Sequence, residues 1–141
     1  MNMKKLFVGG ITGGILFFLL GWLVYGNLLA NYMQSHQGAA TGVNRPNMEM
    51  DFLYLSVGNL LSGFLIAYIF IKANVVSLSN GLITGATVGF LMGASFDCIM
   101  YATTFIASKH MILADVIAIT VNSAIVGAAV GFVMGKLNKS T

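Results

Sequence analysis

Ser77-Leu78-Ser79-Asn80-Gly81-Leu82-Ile83-Thr84-Gly85-Ala86-Thr87-Val88-Gly89-Phe90-Leu91-Met92-Gly93-Ala94-Ser95-Phe96-Asp97 places a glycine at every fourth position from 81 to 93 and a carboxylate at the next step. In lipid, small residues at this spacing let two helix backbones approach closely. An acid inside the same segment is costly unless it finds partners or water. The stretch therefore reads as one wall of a packed membrane bundle, with an ionisable group beside its contact ridge.

The rest of the chain fits that setting. Of its 141 residues, 57% are hydrophobic and 8% charged, whereas a soluble domain carries about 25% charged residues. Long apolar runs account for the deficit: Leu6–Leu29, Phe52–Ile71, Gly81–Ala107 and Val116–Gly135. Each reaches the roughly 20 residues needed to cross about 30 Å of hydrocarbon. The expected fold is an all-α, integral membrane four-helix bundle of up-down-up-down topology, forming a single membrane domain over residues 1–141. Its spans are expected at about 6–31, 52–72, 80–107 and 114–136, with an outer loop at 34–51. The first run starts with Lys4 and Lys5, yet it is too long for a leader and no A-x-A site follows, so it reads as a retained helix.

Basic residues set the orientation. Lys4, Lys5, Lys72, Lys136 and Lys139 fall on one side, with Arg45 and Lys109 on the other. The excess places both termini in the cytoplasm. The net charge of +3 is explained by this topology. With no basic patch on a soluble face, nucleic-acid binding is not expected. Cys98 is the only cysteine, which rules out an intramolecular disulfide.

An internal repeat shows through. Gly9-Gly10-Ile11-Thr12-Gly13 resembles Gly81-Leu82-Ile83-Thr84-Gly85, and Phe18, Leu19 and Gly21 match Phe90, Leu91 and Gly93. The second and fourth spans both end in Lys-x-Asn, at Lys72–Asn74 and Lys136–Asn138. Together these suggest a duplicated two-helix hairpin, its copies sharing one orientation in the membrane.

The four-residue step drifts by about 40° per repeat on a 3.6-residue helix, so the ridge of Gly81, Gly85, Gly89 and Gly93 winds around its axis. A partner crossing near −40° can follow it. The fourth span offers such a ridge in Ser123, Gly127, Gly131 and Gly135. Packing within the chain is the simplest use of these ridges; a subunit interface or a channel lining are the alternatives.

Asp97 is the sharpest functional candidate, lying roughly 4–5 Å outward of the middle of its span. Asn59 and Asn122 also fall slightly outward of centre, and Tyr25 and Tyr101 lie closer to the outer surface. Every span thus supplies a polar group to the outer half, which points to a polar cavity opening outward. Asp97 either bonds Asn59 or Asn122 and fixes helix register, or binds a proton, a cation or an amine. His36 and His110 sit at helix ends, and no phosphate loop, zinc signature or hydrolase elbow is present. Neither a metal nor a cofactor is expected, and no catalytic residue stands out.

The first span's Gly21-x-x-x-Tyr25-x-Asn27-Leu28-Leu29 resembles the opening of the bacterial DUF1761 family, small four-span membrane proteins. The glycine-rich start of the third span, and Asn122 followed by Gly127 and Gly131, are similar too. Val24 stands where that family has a tryptophan, and the tryptophan here is Trp22. The resemblance implies a four-helix fold in the bacterial plasma membrane and no assigned activity. Two functions follow as expectations. One is a non-catalytic bundle that packs with itself or with a membrane-protein partner through its glycine ridges. The other is a small proton- or cation-coupled transporter or channel using Asp97.

Overall fold

Each long helix begins at a side chain that caps it. In the computed structural model, which describes residues 2–139, the Lys5 N–H donates to Asn2 Oδ1 and the Tyr54 N–H to Asp51 Oδ1, both at 3.2 Å. The Asn80 N–H donates to Ser77 Oγ and the Met111 N–H to Ser108 Oγ, again at 3.2 Å. Such caps satisfy backbone donors that the helix leaves unpaired, each contributing about 1 kcal/mol. The helices they start are α1 (Met3–Leu23), α3 (Phe52–Lys72), α4 (Leu78–Thr103) and α5 (Lys109–Lys139). A π-helical turn, Val24–Leu28, extends α1, and the short α2 (Ala30–Ser35) follows it. A 3-10 turn at Asn47–Glu49 leads into α3.

The chain is an all-α bundle, and its four long helices are long and apolar enough to cross a membrane. α3 spans 52–72, as the sequence indicates. The other boundaries shift for local reasons. The first helix breaks at Leu29, the third ends at Thr103, and the fourth starts at Lys109 rather than near 114 because Ser108 caps it. The segment between α4 and α5 is extended and pairs with the outer loop. The Gly38 N–H donates to the Ile106 carbonyl and the Ala40 N–H to the Phe105 carbonyl, both at 2.9 Å.

Between α3 and α4 the chain reverses in a tight cap. Asn74 takes a left-handed φ of 53°, a conformation that asparagine tolerates better than most residues. The Val75 N–H reaches back to the Phe70 carbonyl at 2.9 Å and the Asn74 N–H to that of Ile71 at 3.4 Å. This closes the helix end in a Schellman arrangement. Val75 then tucks into the core.

The helices pair as two hairpins, α1 with α3 and α4 with α5. The hairpins meet mainly through α1 and α5, while α3 makes little contact with α4 or α5. Both close by backbone approach. A methyl carbon at Gly63 of α3 would strike Gly10, Gly13 and Gly14 of α1. Across the other hairpin, one at Gly81 would strike the Gly127 carbonyl, and one at Gly85 that of Ser123. Gly89 faces the Ser123 side chain and Gly93 that of Ile119. From the α5 side, Gly127 meets Gly81 and Gly85, Gly131 meets Ser77 and Gly81, and Gly135 meets the Val76 carbonyl. An apolar core of Phe17, Ile66, Ala67, Phe70, Val75, Val126, Val130 and Met134 fills the inner half between α1, α3 and α5.

Candidate functional site

Polar groups gather where the glycine contacts end. Asp97 follows Gly93 by one turn of α4 and is only 1% exposed. Its Oδ2 atom is buried without a hydrogen-bond partner among the described residues. Buried polar atoms are nearly always paired, so an orphaned one calls for an explanation. Asp115 of α5 stands beside it, within side-chain interaction range of both the Asp97 carboxyl and the Tyr25 hydroxyl. Two carboxylates side by side repel when both are charged, and a shared proton or a bound cation relieves that repulsion.

Tyr25 reaches this place from the π-helical turn. The Leu29 N–H bonds to the Val24 carbonyl at 2.7 Å, five residues back, and Asn27 Nδ2 donates to the Trp22 carbonyl at 2.9 Å. A π turn inserts an extra residue into a helix and is a frequent feature of functional sites. Here it ends the straight run of α1 and presents Tyr25 at the junction with α5.

Tyr25 and Asp115 also line a cavity of about 920 Å³ at the end of the bundle that carries the 34–51 loop. Most of its remaining wall comes from α2 and the outer loop, including Asn31, Gln34, Asn44 and Arg45, with Gly26 and Met111 completing it. Asp97 does not line the cavity itself but stands beside Asp115 and Tyr25, which do. The outer loop is held in place from the α4–α5 side, since Ser108 Oγ donates to the His36 carbonyl at 2.5 Å. The His36 ring stacks on Tyr32 with centroids 4.1 Å apart and lies 5.7 Å from that of His110. No three histidine, cysteine or acidic side chains converge as a metal-binding group among the described residues.

The residues singled out from sequence separate accordingly. Asp97 and Tyr25 come together. Asn122 is buried at 3% exposure, and lies two turns inward of Asp115 on the same face of α5. Asn59 does not reach Asp97: its Nδ2 donates to the Leu55 carbonyl of its own helix at 2.8 Å, and α3 packs on α1 rather than α4. Tyr101, one turn beyond Asp97, points outward and is 42% exposed. Asp115 is the residue that sequence reasoning missed, because it lies just before the apolar run that begins at Val116. Ser108 as a helix cap was the available signal, because a helix starting at 109 carries Asp115 inside.

No family model matches the chain, and no curated protein or solved structure is detectably similar to it. Its function therefore has to be read from the site itself.

Proposed function

We propose that the protein is a small multi-pass membrane protein that binds a proton, a cation or a protonated amine from the outer side, in a proton- or cation-coupled transport cycle. The observation that carries this reading is the unpartnered, buried Oδ2 of Asp97 beside Asp115, a residue that lines the cavity at the outer end of the bundle. In this role Asp97 and Asp115 supply the negative charge, and the Tyr25 hydroxyl orients the Asp115 carboxyl. Intramembrane acids facing a polar cavity commonly mark ion pathways. The close approach of α4 and α5 through the inner half supports an outward-open, inward-closed state.

The distribution of lysines supports cytoplasmic termini. Lys5 Nζ meets Asn138 Oδ1 at 2.5 Å, so the start of α1 and the end of α5 share that face. A bacterial plasma membrane and a place near the DUF1761 family are part of the same proposal; the first-span motif behind the latter falls on the turn that carries Tyr25. The competing reading, assembly with a partner through glycine ridges, is weakened because those ridges already face one another within the chain. A partner would have to use the exposed apolar sides of the helices instead.

Reconstitution in proteoliposomes tests the proposal. Imposed gradients of protons, sodium or methylammonium should drive uptake in the wild type, and Asp97→Asn should abolish it without changing oligomeric state. Wild-type vesicles that neither transport nor bind any of these ions would sink it.

A further inference from the structure

The cavity carries one acid and one base among its described lining residues, Asp115 on α5 and Arg45 on the outer loop. Arg45 is exposed and precedes Pro46, whose φ of −59° reflects the ring constraint on this part of the loop. Asp51 lines a neighbouring cavity together with Arg45, and its Oδ1 caps α3 by accepting the Tyr54 N–H at 3.2 Å. A guanidinium on the wall works against a site meant for a bare cation, because it repels what the acids attract. It suits a ligand that carries both signs. Guanidinium groups bind carboxylates and phosphates through paired hydrogen bonds, and the amides of Asn31, Gln34 and Asn44 can bond the polar stem between the two charges.

Building on the cation-binding reading above, we infer that the ligand is a small zwitterion. Its ammonium sits at Asp115, with Asp97 behind it, and its anionic group sits on Arg45. A free amino acid and the headgroup of an aminophospholipid share this chemistry.

The test measures binding to the full chain purified in detergent micelles, by calorimetry, with a series from glycine and β-alanine to 6-aminohexanoate. Alkylamines and alkyl carboxylates of matching length serve as single-charge controls. At least one amino acid of the series should bind about tenfold more tightly than its alkylamine, the gain expected of one charge-assisted pair, and the carboxylates should not bind. Arg45→Gln should remove that tenfold gain while alkylamine affinity holds or rises, since the repelling charge is gone, and Asp115→Asn should weaken both classes. Equal affinity for amino acid and alkylamine, or a gain that survives Arg45→Gln, overturns the zwitterion and leaves the cation site standing. Failure of every amine to bind overturns both. To separate the two sources, the protein is placed in phosphatidylcholine nanodiscs with and without phosphatidylethanolamine. A thermal shift with phosphatidylethanolamine that Arg45→Gln removes assigns the site to a headgroup; its absence, with amino-acid binding intact, assigns it to a free solute.

Discussion

The α4–α5 hairpin is built in two ways along one pair of helices. In its inner half the backbones touch, glycine against glycine and against serine, and no side chain fits between them. In its outer half the same helices carry Asp97 and Asp115, and the packing gives way to a polar junction that Tyr25 joins from α1. The contrast teaches that close backbone packing and buried polar groups need not compete for the same residues. The glycine contacts supply close van der Waals packing between the two helices, while the outer half holds two acids side by side.

Breaking the inner half should have the largest effect. Gly85→Leu forces a branched side chain against the Ser123 carbonyl and the Gly127 backbone. A loss of about 3 kcal/mol or more is expected, read as a lowered midpoint of unfolding in mixed micelles. Gly21→Leu is the matching control: a methyl carbon at Gly21 meets nothing within 4 Å, so its midpoint should stay within about 0.5 kcal/mol of the wild type.

The outer half should respond in the opposite sense. Asp97→Leu removes a buried carboxyl whose Oδ2 has no partner, and the fold should gain about 1 kcal/mol while cation or amine binding disappears. A variant that lost stability and kept binding would show that Asp97 is a structural bond and would erase the contrast between the halves.

Smaller effects sharpen the picture at its edges. Asn74→Ala puts alanine at a left-handed φ of 53° and should cost about 1 kcal/mol, whereas Asn74→Gly should be neutral or mildly stabilising. Thermal melts of the pair separate backbone strain from any loss of side-chain contact. Asn59→Ala should change both stability and binding least of all, because its amide bonds only its own helix. An effect on ligand affinity beyond about twofold would place α3 in the site after all.

What was legible in the sequence follows this same division. The inner half could be read because close backbone approach demands glycine at a fixed spacing, and few other residue patterns produce that geometry. The helix count followed from hydropathy and length alone. The outer half resisted, because its residues come together from distant elements. Tyr25 depends on a π turn that no hydropathy pattern announces. Asp115 looked like a helix flank because the apolar run begins after it, whereas the Ser108 cap decides where the helix starts. Pairing Asp97 with Asn59 assumed that α3 borders α4, and the bundle instead joins its hairpins through α1 and α5. The place of Arg45 on the cavity wall was hidden for a similar reason, since nothing local indicates that this loop lines the cavity.

The two hairpins can be pictured as the leaves of a book, with α1 and α5 along the spine. Tyr25 belongs to one leaf, while Asp97 and Asp115 belong to the other. The junction of these groups is therefore built from both sides of the fold. Any rocking of the leaves would change the gap between Tyr25 and Asp115 before it disturbed the glycine contacts within either leaf.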